Sequence, residues 1–480
     1  MIRQIMKNEW TLLSREKILY LALPIYLVML IYGIMNGTEW KTFLYDNSIE
    51  AREMADKVFQ SKRDTLDKIL AGKLKYSYAE DPRLPAQLAR YKGYEMATKP
   101  PAPTAAISIG QSDVVPSYVK VQWKPMFKQA NTDEIENPRN LAVGTFDLSF
   151  VLIYLYPLLI IALSYNVLSS EREQGTQVLL LSQPVSVRQF VLGKILLRGS
   201  LIIGTAVVVS LFGLIVANPD ILSAGYAWRI AMMAVILALY GTFWFGLAVL
   251  VNALGKKSST NALIMMAAWI GLVLVLPAAL NLAAKTLYPL PSRIAMVQAL
   301  RKGDEQATKE SKFSRAYRAD LLRAGEEAAL KASNTDFYLK VLPLEQQAEK
   351  IAQPIFDEFE NQRQAQQTLA ERLKYLSPAA VTQIAFNELA DSSAGSFNNF
   401  NQQVEAYHDV WRQYFLKPVQ ENRVLTKDEL WNIPRFQYQP ESGSTIFGRI
   451  FGDVLALLIF AGAMLVIGFR LLRNYSGAAR

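Results

Sequence analysis

Apolar residues in this chain gather into six uncharged runs, separated by polar stretches of very unequal length. A helix needs roughly 20 residues to cross about 30 Å of hydrocarbon. The runs lie between Lys17 and Glu39, Asp147 and Glu171, Arg198 and Asp220, Arg229 and Lys256, Lys257 and Lys285, and Asp453 and Arg470. The last is short, so it is expected to begin near Phe447 and to carry Arg449 and Asp453 into its end. This pattern predicts a first span at 18–36, spans two to five within 144–283, and a sixth at 447–470. The first run starts basic like a signal peptide, but it is too long. Its end, Met35-Asn36-Gly37-Thr38-Glu39, lacks a small-x-small cleavage site, so it is read as a retained anchor.

Two long stretches, 37–143 and 284–446, contain no run able to span. The first opens with a charged, proline-free segment, Ser48 to Lys75, that predicts helix. Lys99-Pro100-Pro101-Ala102-Pro103 breaks any regular element. Ala106 to Ile109 and Tyr118 to Trp123 alternate like short strands. The second stretch predicts helices over Ser292–Ala332, Leu344–Tyr375, Pro378–Ala390 and Ser396–Phe415. Ser377-Pro378 has the form of a helix start, with serine as cap and proline at the first turn. The fold class expected is mainly α: a polytopic membrane protein with six transmembrane helices and a mostly helical extracytoplasmic domain built from two insertions.

Composition sharpens this. Of 480 residues, 51% are hydrophobic and 19% charged, with a net charge of +9; the mean hydropathy of +0.12 suits spans plus large solvated parts. The positive surplus first suggests a nucleic-acid partner, but its placement argues against one. It is held by 1–17, 167–198, 252–261 and 470–480, while the two insertions are near neutral. Lysine and arginine favour the cytoplasmic side of short loops. Both termini are therefore expected in the cytoplasm, with 1–17 a cytoplasmic amphipathic helix, 471–480 a cytoplasmic tail and both insertions outside. There is no Cys and a single His, which excludes disulfides, thiolate chemistry and multi-His metal sites.

The most informative loop is 167–195. It reads Ser169-Ser170-Glu171-Arg172-Glu173-Gln174-Gly175-Thr176, runs through an apolar stretch to Pro184, and reaches Gly193-Lys194. Ser170 is placed to cap a helix whose first turn holds Glu171 and Glu173, a match to the positive helix N-terminus. A charged helical end that runs into a short element between Gly175 and Pro184 suits docking into another protein's groove. An ordinary polar loop is the alternative. This string resembles the loop between spans two and three of type-2 ABC transporter permeases, and the likeness extends to the six-span layout and the basic N-terminal helix. The two large insertions make it similar to a bacterial subgroup with a large extracytoplasmic region, as does Tyr375-Leu376-Ser377-Pro378-Ala379 with Gln383.

The resemblance implies an ATPase-coupling set of Glu171, Arg172, Glu173, Gly175, Thr176 and Pro184. It implies a separate ABC ATPase that carries ATP and Mg, with no cofactor on this chain, and a second permease chain, identical or related. It implies an N-terminal helix that touches lipid and ATPase, and a bacterial inner-membrane location. A periplasmic protein partner is a further option, and a membrane-anchored scaffold without transport is the alternative function.

Other candidates carry less. Gly255-Lys256-Lys257-Ser258 lacks the upstream glycine of a phosphate loop. His408 has no nucleophile or metal motif beside it. Asp357, Glu358 and Glu360 read as a solvated face. Asp147 and Asp453, near the membrane, read either as interfacial residues, with Arg449 paired to Asp453 at i, i+4, or with Tyr154 as a gate or pathway. Pro24, Pro157 and Pro277 fall inside spans and are kinks or hinges.

Overall fold

The computed structural model describes residues 2–15, 17–74, 81–124, 146–176, 185–222, 225–310 and 342–473. Among the described residues, six helices are long and apolar enough to cross a membrane: span one, Lys17–Leu70; two, Leu148–Glu173; three, Val187–Ala217; four, Ala227–Ala253; five, Ser258–Leu287; and six, Gly443–Leu471. Short helix α1, Ile2–Leu13, precedes them. The second insertion supplies α2 (Arg293–Glu310), α3 (Leu342–Leu373), α4 (Pro378–Leu389), α5 (Ala394–Gln420) and α6 (Lys427–Trp431). The mainly α, six-span architecture is the one the apolar runs predict.

Spans two and four form the interior of the bundle. Val151, Leu152, Tyr156, Ile160, Ile236, Tyr240 and Trp244 are buried there. The outer faces of the other spans present Leu21, Val28, Val208, Phe212, Leu263 and Ile459, a lipid-facing surface. Spans four and six pack through glycines. A Cβ on Gly246 would lie 2.9 Å from Met464 Cβ, and one on Gly468 would lie 2.9 Å from the Leu250 backbone nitrogen. Small residues let two backbones approach where no hydrophobic effect drives association.

Two prolines are absorbed by wide π turns, Val151–Leu155 before Pro157 and Ile270–Val275 before Pro277. A proline leaves carbonyls on the preceding turn without partners, and in hydrocarbon these must find donors from neighbouring helices. Tyr240 Oη donates to the Ile153 carbonyl at 3.0 Å, Trp269 Nε1 to the Tyr154 carbonyl at 3.1 Å, and Ser377 Oγ to the Leu272 carbonyl at 2.7 Å. Pro24 lies within an unbroken helix.

The insertions depart from expectation in four places. The helix of span one does not stop near residue 36; it runs on into the helix expected from Ser48 and ends at Leu70, with Leu44, Ser48, Ala51, Ala55, Phe59 and Leu66 buried along one face. Ala106 to Ile109 is not a strand. Residues 103–107 form a 3-10 turn wedged against span one, with the Ala106 carbonyl close to Gly37. The strand at Tyr118–Val121 pairs antiparallel with Glu95–Thr98 instead, Glu95 opposite Val121. Helix α4 belongs to the bundle rather than a solvated domain: Val381, Ala385, Phe386 and Leu389 are buried in the same core as the spans. Span six begins at Gly443, capped by Ser442, four residues before Phe447. As expected, Ser377 caps α4; the Ser292–Ala332 helix is described only to Glu310.

The two insertions fold together. Lys99 Nζ reaches the Asp391 carboxylate at 2.8 Å, Thr104 Oγ1 the Leu389 carbonyl at 2.7 Å, and Ser108 Oγ the Asn387 amide oxygen at 2.7 Å. A second core contains Phe59, Trp123, Phe400, Trp411 and Phe415. His408 helps close it, its Nε2 2.8 Å from the Lys124 carbonyl. On the edge strand Glu95 is buried, 2.7 Å from Arg435. Burial pushes its carboxyl up to about 7 against the pull of that guanidinium.

Two predictions follow from this packing. Gly246→Ala and Gly468→Ala are each expected to cost about 1–3 kcal/mol, because the added methyl meets backbone. Gly204→Ala, with nothing within 4 Å, is expected to be neutral; thermal unfolding in detergent compares them. For Glu95, the folded state holds the proton more tightly than the unfolded chain. Its ionisation therefore opposes folding, and stability falls as pH rises from the ordinary value of 4.5 through about 7. Glu95→Gln is expected to flatten the fall in unfolding temperature between about pH 5 and about pH 8.

Candidate functional site

The face where the loops between spans two and three and between spans four and five meet carries a network of charged contacts. Span two ends in residues 169–173, and Ser170 lies inside that helix rather than capping it. Leu168 precedes it with helical backbone, so the loop helix is a continuation of the span and needs no cap. Gly175 then turns the chain at φ +74°, a left-handed conformation that favours glycine. Thr176 closes the turn, its backbone N–H donating to the Glu171 carbonyl at 2.9 Å and its hydroxyl to the same oxygen at 3.1 Å. Pro184 lies outside the described residues.

The charged residues of the loop are held from two sides, Glu171 by span three and Arg172 and Glu173 by the turn into span five. Glu171 accepts from Lys194 Nζ of span three at 2.8 Å. Arg172 donates to the Gly255 carbonyl in the turn between spans four and five. Glu173 accepts from the Ser258 backbone N–H at 2.7 Å and from its hydroxyl at 2.8 Å, at the first residue of span five. Both loop carboxylates are therefore spent inside the chain. An open cavity of about 540 Å³ remains between the two loops, lined by Arg172, Glu173, Gly255, Lys256, Lys257 and Thr260.

The network reaches α1. Glu9, which the amphipathic pattern places on a polar face, is only 1% exposed. Arg198 Nε donates to it at 2.7 Å, and Lys194 lies 3.5 Å away. Gly193 lets α1 approach, since a Cβ there would lie 2.8 Å from Ile5 Cγ2. Lys194 thus stands between Glu9 of α1 and Glu171 of the loop. Two asparagines hold the base: Asn252 accepts from Leu168 N–H at 3.1 Å and donates to the Ser164 carbonyl at 3.1 Å, and Asn261 donates to the Tyr165 carbonyl at 3.2 Å. Sequence reasoning did not single out Glu9, Arg198, Ser258, Asn252 or Asn261 as site residues. The readable signal was an acid on a helix that otherwise offers bases, and asparagines at the ends of apolar runs.

The candidate gate residues lie at the opposite end and do not converge. Asp147 caps span two by accepting from Phe150 N–H at 2.7 Å, and also accepts from Ser149 Oγ at 2.8 Å and Ile109 N–H at 2.7 Å. Tyr154 stacks on Phe150, ring centroids 4.8 Å apart. Asp453 is fully buried and pairs with Lys374 at 2.5 Å rather than with Arg449. Arg449 goes to Glu388 at 2.8 Å and Glu441 at 2.6 Å, because α4 offers it the Glu388 carboxylate while Lys374, in the turn before α4, takes Asp453.

A family model described as ABC-2 family transporter protein matches residues 3–475. No curated protein matches the chain.

Removing one partner of a buried charge cluster leaves the others unpaired, a loss of about 3–5 kcal/mol. Glu9→Gln is expected to free α1 from span three, seen as faster proteolysis within 2–13 and a lower unfolding temperature.

Proposed function

The chain belongs to the ABC-2 family of transporter proteins, and from that membership we propose a permease subunit that couples ATP hydrolysis on a separate ABC ATPase to motion of its spans and insertions. The protein itself is a membrane transport component rather than the catalytic one. In this reading ATP and Mg sit on the ATPase, and a second permease chain completes the transporter. The membrane is a bacterial inner membrane, both termini are cytoplasmic and both insertions lie outside.

One observation carries the coupling role: the loop helix at 169–173 continues span two past a turn at 165–168, and its three charged residues each grip another element. Glu171 grips span three and, through Lys194, α1; Arg172 and Glu173 grip the turn into span five. A push on this helix by a docked ATPase is delivered to spans two, three and five and to α1 together. Glu171, Arg172, Glu173, Gly175 and Thr176 act here by shaping and transmitting. Contact with the ATPase falls to the exposed turn at 174–176 and the basic cavity wall. Asp147, Tyr154 and Asp453 sit where the motion leaves the bundle for the insertions, and their proposed role is at that exit.

The test uses the chain reconstituted in vesicles with its ATPase. The Glu171→Lys, Glu173→Lys double variant is expected to insert and to co-purify with the ATPase but to lose stimulation of ATP hydrolysis. Ser258→Ala, which removes the hydroxyl that Glu173 grips without adding charge, is expected to fall between. Full stimulation in the double variant would exclude the coupling role, and failure to recover any ATPase would favour a scaffold.

A further inference from the structure

We propose that the cavity between the two loops is a binding site for an anionic phospholipid, its phosphate held by Lys256 and Lys257 and its acyl chains lying along span five. The argument starts from Gly255-Lys256-Lys257-Ser258, which is no phosphate loop but still sets two cations side by side. The residues on either side of the lysines are pinned. Gly255, at φ +67°, has its carbonyl held by Arg172, and Ser258 is held through its N–H and hydroxyl by Glu173. A fixed turn therefore presents both lysines on the wall of a cavity of about 540 Å³, a volume within the range of small-molecule sites. Among the wall residues Arg172, Lys256 and Lys257 face a single carboxylate, Glu173. Both oxygens of Glu173 are taken by Ser258. Residues 177–184, the next stretch of the loop, include no acidic residue. The anion that completes this wall comes from outside the loop.

The kind of anion follows from what adjoins the cavity. Thr260 of the wall stands one helical turn before Leu263, which begins an exposed apolar stripe with Met266, Ile270 and Leu274. The stripe runs about 17 Å, close to the roughly 15 Å depth of one hydrocarbon leaflet. The chain itself covers little of it, for only 11% of the apolar window of span five is buried. A free anion would use the lysines and leave the stripe without an occupant. A carboxylate from a protein brings two oxygens and no hydrocarbon. A phospholipid uses both parts: its phosphate oxygens accept from the two ammonium groups and the Thr260 hydroxyl, and its chains follow the stripe. Basic pockets between spanning helices bind anionic headgroups in this way. The ATPase of the functional reading meets the Arg172 side of the same wall, so the lipid on the Lys256–Thr260 side borders that contact.

The site rests on the six spans and not on the coupling role. Its test uses the absence of native cysteine. The full chain with Leu263→Cys carries an environment-sensitive fluorophore in detergent and is titrated with short-chain phosphatidylglycerol, short-chain phosphatidylcholine or inorganic phosphate. Expected is a saturable signal with phosphatidylglycerol at concentrations where the other two give none. Lys256→Gln with Lys257→Gln is expected to weaken it by about fivefold per lysine, about 25-fold together. Lys256→Arg with Lys257→Arg, and the control Arg470→Gln with Arg473→Gln, are expected to bind within about twofold of the parent chain. Equal responses to phosphatidylcholine, or equal weakening by the control pair, would overturn the site. Displacement of phosphatidylglycerol by equimolar inorganic phosphate would reduce it to a free-anion site and overturn the lipid. A signal that tracks protein concentration instead of lipid would give the stripe to a second copy and overturn it too. Glutamine variants that bind lipid like the parent but no longer recover the ATPase would assign the lysines to that partner and sink the proposal.

Discussion

Hydrocarbon offers backbone and charge no solvent, and that constraint governs the whole bundle. Each place where the helices depart from regularity is met by a side chain from another element. The π turn before Pro157 is met by Tyr240 and Trp269, and the one before Pro277 by Ser377. Such donors do more than satisfy carbonyls. An unmet carbonyl in a membrane costs several kcal/mol, so each pairing fixes the depth and rotation of the donor helix relative to its acceptor. Ser377 is the clearest case. Its hydroxyl ties the start of α4 to span five, and one turn earlier Lys374 ties the same junction to span six. A helix that would otherwise belong to a solvated insertion is thereby built into the bundle.

The loop end obeys the same rule with charges. Glu9, Lys194, Arg198 and Glu171 form a chain of opposite signs that links α1, span three and the loop. Buried ion pairs are weak evidence for stability, since desolvation offsets much of their attraction, but breaking one is severe. What such a cluster secures is geometry: α1 cannot shift from span three without stranding two cations. The Glu173–Ser258 contact adds span five to the set. This arrangement suits a part that must move as a block when a partner pushes on it.

Much of this was readable from the chain and some was not, for identifiable reasons. Long apolar runs and the lysine and arginine between them are local signals, so the six spans, the Ser377 cap and the loop helix were legible. The helix from Ser48 was legible too, but not its continuity with span one, because residues 37–47 join the two through a change from apolar to charged sequence that marks no helix end. The strand assigned to 106–109 failed because alternation over four residues is also what a 3-10 turn wedged against a helix can show; the partner that decides, Gly37, is about seventy positions away. Arg449 and Asp453 sit at helical spacing and still ignore each other, because α4 supplies Glu388 to one and Lys374 lies beside the other. Spacing along one helix cannot reveal a competitor on another.

The placement of α4 bears on what the insertions do. If they were tethered only by their chain connections, motion in the bundle would reach them weakly. Instead Lys99, Thr104 and Ser108 of the first insertion bind the far end of α4, at Asp391, Leu389 and Asn387. The near end of α4 is bound to spans five and six. Arg449 of span six holds Glu388 as well, so this one short helix is gripped by the spans at both ends and by the first insertion at one. Helix α4 is therefore the element through which spans five and six and the first insertion are in contact. In a chain whose loop end ties spans two, three and five together, side-chain contacts thus run from one end of the bundle to the other.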